Sequence, residues 1–158
     1  MFFQKKSEFK SKLFSQKDFY KQFTNDLLNC KKEVIIESPY ITSARMEKLY
    51  PLFNNLLTRK VKIHIITRDP IEHDELIRHQ ATNEILFCYE LGINIVLLRG
   101  NHHRKLVIID RSILWEGSLN VLSYSNSHEI MRRIESEKWA TQMFRFLKIE
   151  KYLKRQYF

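Results

Sequence analysis

The sequence has 158 residues, of which 44% are hydrophobic and 13% aromatic. It is therefore long enough to fold around a core of its own, too apolar to be a disordered chain, and short for two domains. Lys and Arg number 27 against 18 Asp and Glu, a net charge of +9. This surplus favours an anionic partner, with nucleic acid first and an anionic lipid surface second.

Neither a disulfide framework nor a targeting segment is indicated. Cys30 and Cys88 each lie in a mainly apolar or helix-like stretch, which favours buried free thiols in a reducing compartment. The first residues turn polar at Gln4 before an apolar run of signal-peptide length forms, and no stretch approaches the ~18 apolar residues of a membrane span. These features predict a cytoplasmic protein with no stable membrane association.

The hydrophobic pattern predicts helices that alternate with short β-branched strands. In chain order, helices are predicted at 15–32, 46–58, 82–91 and 136–155, and strands at 33–37, 61–67, 93–98, 105–110, 113–116 and 129–134. Such alternation indicates a single α/β domain whose sheet has helices on both faces. The last strands are joined too tightly for helical crossovers, so the sheet is expected to be mixed. The expected parts are an N-terminal basic segment and helix at 1–30, a core at 33–134 and a C-terminal helix at 136–158.

Polar side chains with complementary chemistry flank the fourth and fifth predicted strands. His103 and Lys105 are two positions apart on one strand, so they project to the same face while Arg104 points away. Ser118 and Asn120 share a face in the same manner if that segment is extended. Such a set suits a phosphodiester, because the ammonium and the amide hold non-bridging oxygens while the imidazole attacks phosphorus or delivers a proton.

The spacing of these residues resembles the signature of the phospholipase D superfamily. The pattern H-x-K, four residues, D, six residues, G-S-x-N is matched without a gap by His103, Lys105, Asp110, Gly117, Ser118 and Asn120. Weaker similarity at 36–40, 66–68 and 129–134 resembles the phospholipase D-like nuclease domains of bacterial DNA-processing proteins, including those attached to helicases. The resemblance implies a phospholipase D-like fold and a metal-independent phosphodiesterase that needs no cofactor.

The resemblance also implies a two-step mechanism with two histidines. One histidine forms a phosphohistidine intermediate, the second protonates the leaving oxygen, and water then releases the product. The chain carries one signature where the superfamily's site needs two. We therefore expect a homodimer in which His103 of each protomer meets at a shared site, with a helicase or other DNA-processing protein as a further partner.

Other signature positions are expected to support this chemistry. Glu129, where the family often carries an acidic residue, is the candidate acceptor that fixes the tautomer of His103, against the alternative of an ordinary charged strand residue. Asp110 has the opposite strand parity and is expected to pin its turn through backbone contacts. Ser118 is expected to bond the phosphate or the histidine, and Gly117 to let the backbone pass close by. The candidate catalytic residues are thus His103, Lys105, Asp110, Ser118, Asn120 and Glu129.

Three arginines are candidates for binding substrate, together with Gly117. Arg68 ends a predicted strand, where it would clamp a flanking phosphate or, equally, pair with a carboxylate at position 69 or 72. Arg132 and Arg133 are expected to contact a nucleic-acid backbone.

Weaker features have ordinary explanations. His73 and His79 are off any shared helical face and lack a further ligand pair, which favours a polar loop over a metal site. His102 faces away from the signature and is expected to be solvated. Lysines and phenylalanines interleaved over 2–21 resemble a basic arm that lines a nucleic-acid groove, although a solvated basic face explains most such runs.

The function predicted from the sequence is a DNA endonuclease of low sequence selectivity. Basic charge suits a polyanion, DNA before RNA, and no base-reading motif is present. A phospholipid hydrolase or transferase of the same superfamily is the first alternative, and it would need a lipid channel or docking helix that the sequence does not clearly offer. A non-catalytic nucleic-acid-binding module is the second, and the intact His, Lys, Ser and Asn set argues against it.

Overall fold

A computed structural model of the chain describes residues 9–154. The strands are β1 (Lys10–Ser15), β2 (Glu33–Glu37), β3 (Lys62–Arg68), β4 (Asn94–Leu98), β5 (Leu106–Ile109), β6 (Ile113–Gly117) and β7 (Ile130–Glu135). The helices are α1 (Phe19–Asn29), α2 (Ser43–Thr58), α3 (Glu75–Glu90), α4 (Glu137–Phe146) and α5 (Ile149–Lys154), with a short 3-10 turn, Pro70–Glu72, before α3. Over 9–154 no helix is both long and apolar enough to cross a bilayer.

The strands form one sheet in the order β1-β7-β6-β5-β2-β3-β4. Neighbours β2, β3 and β4 run parallel, as the helical crossovers α2 and α3 require, and every other neighbouring pair is antiparallel. The β5–β6 connection is a tight turn in which Asp110 and Arg111 have φ values of 51° and 53°, and Ser112 N donates to Ile109 O at 3.0 Å. The predicted mixed sheet is confirmed.

Helices cover both faces of the sheet, as the alternating pattern predicts. One core cluster packs α1, α2 and α3 against one face through residues such as Phe23, Phe53 and Trp115. A smaller cluster packs α4 and the start of α5 against the other face through residues such as Phe144 and Ile149. The sheet is thus the middle layer of three.

Three boundaries differ from the sequence prediction. The expected basic segment contains β1, an edge strand, so that α1 begins only at Phe19. Helix α3 begins at Glu75, where the Asp74 side chain accepts from Ile77 N and caps it. The C-terminal helix is two helices, because Lys148 between them has a φ of 53°. Residues 2–8 of the expected basic arm and 155–158 of the tail lie outside the described residues.

The strand directions bring several chain segments to one edge of the sheet. The carboxyl ends of β1, β2, β3, β4 and β6 meet there with the amino ends of β5 and β7. The segments that carry His103, Gly117 and Glu129 all lie at this edge, which we call the site edge.

Candidate active site

His103 and Lys105 lie at the site edge, on the segment that leads into β5. The Lys105 ammonium is 2.8 Å from His103 Nδ1, and it also donates to the His103 carbonyl at 2.9 Å. The two side chains therefore lie together, as their spacing predicts. Because an ammonium can only donate, Nδ1 is the acceptor in this arrangement.

The pKa values of both groups lie below their ordinary range. Partial burial lowers the pKa of His103, and the nearby charges of Lys105 and Arg68 lower it further. Burial also lowers the pKa of Lys105, with help from Arg68 and against the opposing effect of Glu129. The imidazole is thus biased toward its neutral form, which a nucleophile requires.

Glu129 contacts serines within the single chain. Its Oε1 atom accepts from Ser127 Oγ at 2.7 Å, and its backbone N–H donates to Gln16 Oε1 at 3.1 Å. A hydrogen bond from Ser118 is the main cause of the lowered pKa of Glu129, with Ser127 and the Lys105 charge adding to it. Its orienting role toward His103 therefore stays a prediction.

Gly117 and Ser118 lie where β6 runs closest to β7. A Cβ atom on Gly117 would lie 2.2 Å from the Ile130 carbonyl oxygen, so only glycine fits. The close backbone approach predicted for Gly117 is made by β7. Gly117 also lines the groove that contains His103 and Lys105, so its substrate contact stays a prediction. Ser118 Oγ accepts from Ile130 N at 3.1 Å, which fixes it beside Glu129.

Asn120 begins a loop that is clamped against the segment after β2. Leu122 N donates to Ser38 Oγ at 3.3 Å, and Thr42 N donates to the Leu122 carbonyl at 3.0 Å. The Oδ1 atom of Asn120 is buried and has no hydrogen-bond partner among residues 9–154. The loop that carries Asn120 is therefore fixed, and Nδ2 is the atom of its side chain that can donate to a ligand.

Asp110 lies at the other end of β5 from His103. Its carboxylate accepts from the backbone N–H groups of Lys31, Lys32 and Glu33 at 2.8, 2.7 and 3.0 Å. Burial opposes ionisation here, but these bonds outweigh it and hold the pKa of Asp110 below its usual value. Asp110 is therefore a structural clamp, as its strand parity predicts, although it holds the α1–β2 loop rather than its own turn. Its inclusion among the candidate catalytic residues therefore has no contact in the structure to support it.

Arg68 is buried at the end of β3 and reaches the site. Its Nε donates to the His102 carbonyl at 3.0 Å, and its guanidinium carbon lies 5.3 Å from the centre of the Tyr40 ring. The carboxylates offered as alternative partners are engaged elsewhere: Asp69 pairs with Arg99 at 2.7 Å, and Glu72 accepts from a backbone amide. The ion-pair alternative for Arg68 is wrong.

The two adjacent arginines of β7 lie on opposite faces of the sheet. Arg132 lines an open groove of about 490 Å³ together with His103 and Lys105. Arg133 projects into the core, where it makes a two-pronged ion pair with the buried Asp26. The predicted substrate contact of Arg133 is wrong, because its guanidinium already holds Asp26 on the other face of the sheet.

Residues 23–149 match the family model described as cardiolipin synthase, PLD-like domain. The chain belongs to the phospholipase D-like domain family. No curated protein sequence matches it significantly.

Solved structures place the fold in the same superfamily. NucT from Helicobacter pylori superposes with a TM-score of 0.74 at 18% identity, covering 93% of this chain and 97% of that one. Nuc from Salmonella typhimurium, a phospholipase D family member, gives 0.70 at 16% identity, covering 89% and 93%. Phosphatidylserine synthase from Haemophilus influenzae gives 0.71 at 16% identity, covering 94% of this chain and 38% of that one. The predicted phospholipase D-like fold is confirmed.

The site of this phospholipase D-like domain also contains residues that sequence reasoning missed. Glu37 is fully buried at the end of β2, and the largely buried His102 lies with its Nε2 atom 3.1 Å from Glu37 Oε1. The expectation that His102 is solvated is therefore wrong. The Tyr40 ring stands edge-on to the His103 ring, with centroids 6.3 Å apart. One signal in the sequence could have found Glu37 and Tyr40: the similarity of residues 36–40 to phospholipase D-like nuclease domains. This segment ends a strand at the site edge.

The remaining histidine candidates give no metal site in the described part of the chain. No group of three or more His, Cys, Asp or Glu side chains within 9–154 has a metal-binding arrangement. The buried His73 instead bonds the Pro39 carbonyl through Nε2 at 3.1 Å and packs against Tyr40.

Proposed function

We propose that this phospholipase D-like domain is a metal-independent phosphodiesterase that cleaves DNA through a phosphohistidine at His103. The observation that carries the proposal is the pairing of a histidine biased toward its neutral form with Lys105, beside the charge of Arg68, in an open groove. A nucleophile surrounded by cations suits attack on an anionic diester, because those cations stabilise the charge that develops on phosphorus.

The proposed reaction has two displacements at phosphorus. His103 Nε2 attacks, the bond from phosphorus to the leaving oxygen breaks, and a second imidazole donates its proton to that oxygen. Water then attacks phosphorus and the bond from phosphorus to Nε2 breaks, while the second imidazole takes a proton from the water, so that both histidines return to their starting states. Lys105 and Asn120 hold the non-bridging oxygens. When Lys105 turns to the phosphate, Nδ1 is released to carry a proton, and a carboxylate such as Glu129 holds it there.

The second imidazole is supplied by His103 of the partner subunit. The chain has no second H-x-K, and a twofold axis beside the groove would bring two copies of the site together. Light scattering of the active protein should give the mass of a dimer. Full activity from a monomer at micromolar concentration would contradict the shared site.

DNA is the favoured substrate because the open groove is bordered by Arg132 as well as Lys105 and the chain as a whole carries +9. Contacts between basic side chains and phosphates contribute to the affinity for DNA but do not select a base sequence. A DNA-processing partner such as a helicase would supply targeting. The buried thiols of Cys30 and Cys88 fit a cytoplasmic setting.

A phospholipid substrate is the second candidate, favoured by the apolar side of the same groove. Leu13, Ile130, Met143 and Leu147 line the groove together with the charged residues. A diacyl chain would need such a surface next to the phosphodiester. Release of headgroup from phosphatidylserine or cardiolipin vesicles, with no cleavage of DNA, would favour this candidate over the nuclease.

The deciding experiment is a nuclease assay on plasmid and single-stranded DNA in the presence of EDTA. Wild type should cleave, and His103→Ala should lose at least about a thousandfold in kcat. His79→Ala, an exposed position on α3, is the matched control and should keep full activity. Loss of wild-type activity in EDTA, or cleavage by the His103→Ala protein, would contradict the mechanism. Salt-sensitive binding without cleavage would support a non-catalytic module.

A further inference from the structure

We propose that Glu37 is a positioning residue for His103: one buried carboxylate bonds Arg104 and lies against the ring of His102, the two chain neighbours of the histidine, and so fixes its direction. The proposal rests on the function proposed above only for the role of His103. The contacts by which Glu37 would orient His103 do not depend on which substrate the site takes.

Residues 102 and 104 converge on the same carboxylate oxygen. Arg104 Nε donates to Glu37 Oε1 at 2.7 Å. The ring of His102 packs on the same side, with Nε2 3.1 Å from that oxygen, but this contact is not a hydrogen bond, and Nε2 has no hydrogen-bond partner within 9–154. Alternate residues of an extended segment point to opposite sides. Because Arg104 is bonded to Glu37 and the His102 ring packs on the same side, the His103 side chain points to the other side.

The segment that carries His103 has no sheet hydrogen bonds to hold it. Residues 101–105 precede β5, whose ladder begins at the Glu37↔Leu106 pair. Gly100 and Asn101, just before, both have positive φ values, 91° and 61°. The backbone direction is thus set by side-chain contacts, and Arg68 adds to them by donating to the His102 carbonyl.

A carboxylate is a poor choice at this position if stability alone matters. Glu37 is fully buried, and its Oε2 atom has no hydrogen-bond partner within 9–154. Burial raises the pKa of Glu37, and only the Arg104 contact opposes this. An apolar side chain of similar volume would commonly be at least as stable in such a place, so the gain from the carboxylate is a defined geometry.

Asp26 offers a matched control in the same sheet. It is also a buried carboxylate, but its oxygens accept from Arg133 and from Trp115 Nε1 at 2.8 Å, and they tie α1 to β6 and β7. Neither partner adjoins His103 in the chain. Neutralising Asp26 therefore disturbs a buried ion pair without touching the anchors of His103.

The test compares Glu37→Gln with Asp26→Asn in the full chain. We expect Glu37→Gln to lower kcat on a DNA oligonucleotide by about 10- to 100-fold, the usual effect of a displaced catalytic group, with KM within about twofold. The ¹⁵N ring signals of His103, assigned by their loss in His103→Asn, should shift or broaden. Asp26→Asn should unfold more easily but keep both kcat and the His103 signals.

A folded Glu37→Gln protein with unchanged kcat and unchanged His103 signals would overturn the proposal, as would an equal loss of kcat in Asp26→Asn. If Glu37→Gln does not fold, Arg104→Gln removes one anchor at a side chain that is 41% exposed, and the same His103 signals should move. If wild type cleaves no phosphodiester, the proposed function fails, and the ring signals alone still decide whether Glu37 positions His103.

Discussion

Arg133 donates to both carboxylate oxygens of Asp26, at 2.8 and 2.9 Å, and so joins β7 to α1 through the core. Its chain neighbour Arg132 lies on the opposite face of β7, at the groove that contains His103. Two adjacent residues of the same type therefore have different predicted roles.

Arg132→Gln should weaken DNA binding and lower the salt dependence of binding by about one counterion, because one phosphate contact is lost. Arg133→Gln should leave that salt dependence unchanged and lower the free energy of unfolding by about 3–5 kcal/mol, since Asp26 is left buried without its partner. Binding titrations at several salt concentrations and urea unfolding separate the two. The reverse pattern would contradict the face assigned to each residue.

Asp110→Ala should destabilise the fold by about 2–4 kcal/mol, because three backbone N–H groups lose a charged acceptor. Asp74→Ala is the control. It removes a helix cap that accepts from one backbone N–H, and it should lower the free energy of unfolding by about 1 kcal/mol. Both are measured by urea unfolding. Since Asp110 is remote from His103, kcat of the folded Asp110→Ala protein should match wild type, and a large loss of kcat would restore a catalytic role.

Gly117→Ala should destabilise by about 2–4 kcal/mol, because the added methyl group meets β7 backbone that cannot move without opening the sheet. Gly92→Ala is the comparison, since its Cβ would meet nothing within 4 Å and its strain comes only from a φ of 83°. Gly92→Ala should lower the free energy of unfolding by about 1 kcal/mol. Equal losses of stability in the two variants would show that the backbone of β7 can move away from a methyl group at position 117, contrary to the prediction.

Local patterns predicted part of this molecule well. The β-branched run at 33–37 is a strand with the bounds that the sequence indicates, and the two-residue spacing of His103 and Lys105 places them together. β1 was missed because only Phe14 among its residues is buried, so an edge strand rich in lysine carries no alternating apolar pattern.

Contacts between distant segments could not be predicted in this way. Glu37 meets His102 only because β2 pairs with β5, and the Arg133 to Asp26 bond depends on α1 lying under β7. Strand parity tells which side a residue faces, but not which segment lies on that side. Glu129 remains an open assignment for the same reason, because the neighbours of this carboxylate at a shared site would include another protomer.

Acid should destabilise the protein partly through His102. Burial, with the charges of Arg104 and Arg68, lowers the pKa of His102 from 6.5 to about 4. The unfolded chain takes up this proton near pH 6.5 and the folded chain only near pH 4, so stability falls as the pH falls through that window. A difference of that size is worth about 3 kcal/mol.

His102→Gln should remove much of this loss of stability between pH 6.5 and 4, because the variant has no group at this position that takes up a proton. Urea unfolding at pH 7 and pH 4.5 measures it, with His79→Gln as the surface control. An acid sensitivity equal to that of wild type would mean that His102 is not the buried neutral group described above.

The pairing of β1 with β7 also affects how the domain folds. Ser15 pairs with Ile130, and Gln16 just after β1 holds the backbone of Glu129, so the site edge is closed by segments far apart in the chain. Loop closure over such a separation is slow compared with local contacts. On a ribosome, the first strand must wait unpaired until almost all of the domain has been made. The site edge is therefore complete only once β7 has been made and has paired with β1.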